Sequence, residues 1–192
     1  MVLAANGGFG ANPFLSATDD RPAAATFRGT IWGDNIKGNE VPFSARVVTA
    51  RLAKMGWGEI FKIEFTDLKA RGQKKIPPIA PEYFVVTDNR IVLLNEEDQA
   101  AAVKRLAAMD KPPEFAQGDI YGITHGNFTY EDRPWETKIE LKGDRCIYFA
   151  SHNSGHFKTV IWKRGPGLVE YAMGSGARAE GFRLKRIDGK KR

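Results

Sequence analysis

The chain has 192 residues, 42% of them hydrophobic and 27% charged, with a formal net charge of +6. These values suit a single domain with a sizeable core and exclude extensive disorder away from the ends. Its one cysteine, Cys146, excludes an internal disulfide. No apolar run approaches the ~20 residues of a membrane helix, so no transmembrane segment is expected.

Residues 1–26 carry glycines, alanines, Asn6, Asn12, Pro13 and Pro22 without periodicity, and read as a flexible N-terminal arm. The opening Met1-Val2-Leu3-Ala4-Ala5 lacks the basic start and apolar length of a signal peptide, but resembles the small-residue end of one. Export to a periplasmic or secreted location is the expectation, with the cytosol as the alternative. Residues 27–192 read as one β-rich domain with a basic tail at Lys190-Lys191-Arg192.

Strands are predicted at Phe27–Gly33, Phe43–Lys54 and Trp57–Leu68. The third sets Trp57, Phe61, Ile63 and Phe65 against Lys62, Glu64 and Thr66, a period of two that marks one buried face. Ala70–Pro81, with three prolines, is a loop. Glu82–Thr87 and Arg90–Leu94 form a tight pair around Asp88-Asn89.

A single helix is predicted from an N-cap at Asn95, with Glu96, Glu97 and Asp98 in its first turn and Pro112-Pro113 beyond its end. Ala100, Val103, Leu106 and Ala107 give it a narrow apolar stripe, to lie on one end or side of the sheet. Asp119–Tyr130 reads as one long strand bent near Gly126. Trp135–Lys142 and Arg145–His152 follow, and three terminal strands, His156–Arg164, Leu168–Met173 and Gly181–Ile187, are joined at Gly165-Pro166-Gly167 and Gly174-Ser175-Gly176. About eleven sequential strands and one helix predict a mainly β protein, an antiparallel meander closed or half-closed into a barrel. A two-layer sandwich is the alternative.

No catalytic signature is present: there is no Gly-x-Ser-x-Gly elbow, and Gly174-x-Gly176 is too short for a dinucleotide fingerprint. No cofactor is therefore expected. His152 and His156 flank a turn, with Cys146 on the same parity and His125 elsewhere. That set falls short of the three or four spaced ligands of a zinc site, and no metal is assigned. Parity places Ile147 and Phe149 on one side of their strand. The other side collects Tyr148, His152, His156, Lys158 and Trp162, an unusual mixture for either core or solvent. Either Trp162 and Tyr148 pack beneath the helix or the N-terminal arm, or this face lines a half-closed barrel and forms a ligand pocket.

The segment from Trp162 through Gly165-Pro166-Gly167-Leu168-Val169-Glu170-Tyr171 resembles a terminal hairpin of bacterial exported and lipoprotein β-domains, over about a sixth of the chain. That resemblance implies an envelope or secreted setting and transfers no catalytic residue. Ser175-Gly176-Ala177-Arg178 is similar to a motif of C-type lysozyme inhibitors, but a basic chain would repel basic lysozyme. The leading expectation is a non-enzymatic exported domain that binds a small ligand or an envelope component. One alternative is an enzyme using His152 or His156 for acid–base or metal chemistry. The other is polyanion binding through Arg183, Lys185, Arg186 and the tail, disfavoured for nucleic acid because no aromatic residue interleaves that tail.

Overall fold

The computed structural model describes residues 10–16, 21–37, 40–176 and 179–187. Twelve antiparallel strands form one continuous sheet that curls into a nearly closed barrel. In chain order they are β1 (Ala23–Trp32), β2 (Glu40–Met55), β3 (Gly58–Ala70), β4 (Glu82–Val86), β5 (Arg90–Leu93) and β6 (Ile120–Ile123), then β7 (Phe128–Asp132), β8 (Trp135–Lys142), β9 (Arg145–His152), β10 (Phe157–Lys163), β11 (Gly167–Ser175) and β12 (Glu180–Arg186). Every ladder but one joins strands adjacent in sequence; the exception, β1 with β12, joins the first and last strands at the middle of the sheet. The expected meander is present as a single sheet, not as the two layers of a sandwich.

The predicted strand Asp119–Tyr130 is instead two strands. Its halves, β6 and β7, are the two ends of the sheet and share no ladder among the described residues. Gly126, at φ 71°, lies in the turn between them, a backbone state that glycine adopts without steric cost. At this seam β6 leans over the inside of β9 and β10. The Trp162 indole N–H donates to the Tyr121 carbonyl at 2.9 Å, and the Ile123 N–H donates to Cys146 Sγ at 3.4 Å. Edge groups that a neighbouring strand would satisfy are thus met by side chains.

Alternation fills the barrel. Phe27 and Ile31 of β1, Phe61, Ile63 and Phe65 of β3, Ile139 of β8, Cys146, Tyr148 and Ala150 of β9, and Val160 and Trp162 of β10 all point inward and are buried. The opposite face of β3 and β4 is covered by helix α1 (Gln99–Ala107), where Ile60 and Val85 pack with Ala102 and Leu106. The helix therefore lies on one side of the barrel. It starts later than predicted: Asp98, not Asn95, is the N-cap, and its side chain accepts from the Ala101 N–H at 2.9 Å.

Part of the region expected as a flexible arm is a plug. Asn12, Phe14 and Leu15 are buried at one end of the barrel. Asn12 Oδ1 accepts from the Phe14 and Leu15 N–H groups, while Asn12 Nδ2 donates to the Thr87 carbonyl at 2.8 Å. Strand β1 then begins at Ala23, inside the stretch read as arm. Residues 1–9, 17–20 and the tail Lys190–Arg192 lie outside the described residues.

Candidate functional site

The end of the barrel away from the plug is open. There a cavity of about 580 Å³ is enclosed by Ile31 and Ile36, Phe43, Leu93 and Leu94, Phe182 and the proline-rich segment Pro77–Pro81. This volume falls within the range of small-molecule sites. The loop predicted at Ala70–Pro81 therefore has a defined place: Ile76 and Ile79 pack against the core, and the prolines roof the mouth.

Charge enters this mostly apolar chamber at two places: the exposed Glu180, which accepts from Ser175 Oγ at 3.0 Å, and a half-buried ion pair. Lys158 of β10 reaches across to Glu82, the first residue of β4, and forms an ion pair. Its ammonium lies over two rings, 4.8 Å from the Tyr121 centroid and 5.4 Å from that of Tyr171. Burial, then the neighbouring Glu82 carboxylate, hold the Tyr171 phenol well above its ordinary value. It stays protonated and donates to Glu82. Lys158, Glu82 and Tyr171 thus present a compact, electrically balanced polar group to a cavity whose lining is mostly apolar. Two further residues of the lining carry buried polar atoms without a partner among the described residues, Trp32 Nε1 and Gln99 Oε1. Such atoms forfeit the hydrogen bonds that water would have supplied.

The five residues grouped by parity fall into three environments. Lys158 lines the cavity. Tyr148 and Trp162 belong to the filled layer beneath it. There Tyr148 stacks on Tyr121 with centroids 4.0 Å apart, and Trp162 meets Phe84 edge-on at 5.4 Å. What covers them is β6, rather than the helix or the N-terminal arm. Burial, and next the adjacent tyrosine, push the Tyr148 phenol far above its ordinary range.

His152 and His156 sit at the rim, outside the cavity. The His152 N–H donates to the His156 carbonyl, and Ser154 Oγ lies 2.6 Å from Nδ1 of His152 and 2.7 Å from Nδ1 of His156. Trp135 packs edge-on against His152 at 5.0 Å. Cys146 is buried below, and His125 contacts Thr124 on the β6–β7 turn. Among the described residues, no group of three or more histidine, cysteine or acidic side chains could hold a metal.

The basic residues of the last strand are engaged. Arg183 and Lys185 both approach Glu170, at 3.6 and 3.3 Å, and Arg186 donates to the Pro166 carbonyl. Among the described residues, no helix is long and apolar enough to cross a membrane. Parity exposed Lys158, but the rest of the lining escaped it. Glu82, Tyr171 and Pro77–Pro81 reach the mouth through pairings and a loop path that no local pattern encodes.

The fold and site define a class: a meander barrel, plugged at one end, with a mixed-polarity cavity at the other. Comparison with protein-family profiles, curated proteins and solved structures finds no match.

Proposed function

We propose that this protein is a non-enzymatic binding barrel that holds a small, predominantly apolar and uncharged ligand in its mouth. The carrying observation is the cavity of about 580 Å³ whose half-buried charges, Lys158 and Glu82, neutralise each other, the remaining lining carboxylate, Glu180, being exposed to water. An ionised ligand would leave one member of that pair uncompensated, which is costly in a poorly solvated site. A neutral ligand with one polar group keeps the pair and gains a hydrogen bond. Its terminal hairpin resembles those of bacterial exported β-domains, which supports an envelope or secreted setting.

N-phenyl-1-naphthylamine, a neutral apolar fluorophore, tests this reading. It should bind saturably at one site per chain, and Leu93→Trp, which fills the chamber, should abolish binding while leaving the circular dichroism unchanged. Absence of saturable binding to the unaltered protein, or undiminished binding to the variant, overturns the reading.

A second reading, catalysis at the rim, is favoured by the Ser154 hydroxyl between two imidazoles. One hydroxyl can donate to one Nδ1 while accepting from the other, linking the tautomers of the two rings. It requires p-nitrophenyl acetate to be hydrolysed faster by this protein than by its Ser154→Ala and His152→Asn variants. Equal rates remove it.

A further inference from the structure

Outside the barrel, one row of residues crosses four strands at the mouth end: Phe157 of β10, Gly174 of β11, Gly181 of β12 and Trp32 of β1, each the register partner of the next. The two glycines are the floor. A Cβ on Gly174 would lie 2.5 Å from Cε1 of Phe157, and one on Gly181 would lie 2.7 Å from Cζ2 of Trp32. Both rings therefore lie down against bare backbone. Their planes are within 10° of parallel and their centroids 6.5 Å apart, an offset stacked pair that forms an aromatic shelf. Glycine weakens a strand interior, and its use here marks a close approach that a side chain would block.

This shelf is part of a groove of about 650 Å³ that shares Trp32 with the mouth cavity but has a different character. Its walls carry the hydroxyls of Thr30, Ser151 and Thr159, the His156 imidazole, the Glu40 carboxylate and the Arg183 guanidinium. The one carboxylate and one guanidinium balance, and Arg183 is additionally drawn to Glu170. Phe149, 40% exposed, adds a third ring.

We infer that this outer groove is a binding site for neutral carbohydrate. A pyranose with equatorial hydroxyls has two faces of C–H bonds and an edge of hydroxyls. The polarised C–H bonds meet the negative face of an aromatic ring favourably. The hydroxyl edge needs donors and acceptors close by, and the groove supplies both around a planar apolar floor. A polyphosphate chain would meet Glu40 and compete with Glu170 for Arg183. A purely apolar molecule would strand the hydroxyl groups of the walls. The occupant that suits flat rings, many neutral hydrogen-bonding groups and balanced charge is an uncharged oligosaccharide.

Calorimetric titration with cellohexaose, xylohexaose and chitohexaose tests the site. At least one should bind, and Phe157→Ala should weaken that binding tenfold or more. Gly174→Ala should do the same by displacing the Phe157 ring. The exposed Phe149→Ala should weaken binding severalfold without threatening the fold, which keeps the test decisive if the other variants are unstable. Leu93→Trp, which blocks the mouth, should leave carbohydrate binding unchanged, so the two sites are judged separately. The inference falls if none of the three sugars binds, or if binding survives Phe157→Ala and Phe149→Ala. It falls equally if a single-stranded oligothymidylate binds in their place and is lost with Phe157.

Discussion

The Cys146 thiol illustrates how single residues report the barrel interior. Burial pushes it up from 9.0 to about 11, outweighing the N–H that Ile123 donates to its sulfur. The folded chain therefore holds a proton on sulfur that the unfolded chain gives up between those two values. Stability should be insensitive to this group below pH 9 and should fall as pH rises from 9 towards 11, by about 2 kcal/mol at pH 10.5. Urea denaturation under reducing conditions at pH 8 and 10.5 checks this, and Cys146→Ala should lose that part of the decline. A further decline beginning near pH 10 should persist in the variant, because burial also raises Tyr121, Tyr148 and Tyr171. At this scale the sequence was informative: Cys146, Tyr148, Val160 and Trp162 share a face because β9 and β10 form a local hairpin. Which face turned inward was not legible. Phe149 and Ile147 look as suitable for a core as Tyr148, and the choice depends on the curvature of the whole sheet.

Elements were legible where their own residues decide them, and obscure where a distant partner does. β8 and β9 occupy the predicted spans, Trp135–Lys142 and Arg145–His152, since their alternation is local. The helix start was blurred because Asn95, Glu96, Glu97 and Asp98 all suit a first turn. Contacts beyond them arbitrate: Gln99 Nε2 donates to the carbonyls of Leu94 and Glu96, which fixes the chain ahead of Asp98. Asp98→Ala should therefore cost about 1 kcal/mol in thermal or denaturant unfolding, while Asn95→Ala should be within a few tenths. Equal effects would place the cap elsewhere. Gly126 marked a bend within residues 119–130, but apolar alternation does not say that the two halves, β6 and β7, pair at opposite ends of a sheet.

For the whole molecule, the two barrel ends have opposite designs. Phe14 closes one end, with Arg164 5.1 Å over its ring and the Gly165 N–H donating to the Pro13 carbonyl. Phe14→Ala should cost about 3–5 kcal/mol, read as a lower denaturation midpoint with an unchanged slope. A cost below 1 kcal/mol would show the plug to be dispensable. Pro13 and Asn12 suggested a loop, and nothing nearby revealed that the loop enters the core, because its partners Thr87 and Arg164 are far away in sequence. The seam between β6 and β7 has a consequence for chain connectivity. Across it no ladder would be cut, whereas β1 and β12, drawn together by the Ile187 N–H on the Thr26 carbonyl, hold the two ends of the described chain side by side. A circular permutant opened at Gly126, with a linker joining the chain after β12 to the chain before β1, would run from β7 through β12 into β1 and on to β6. Each strand would then pair only with its immediate neighbours in sequence. Such a chain has no long-range pairing left to find and should fold faster than the natural order.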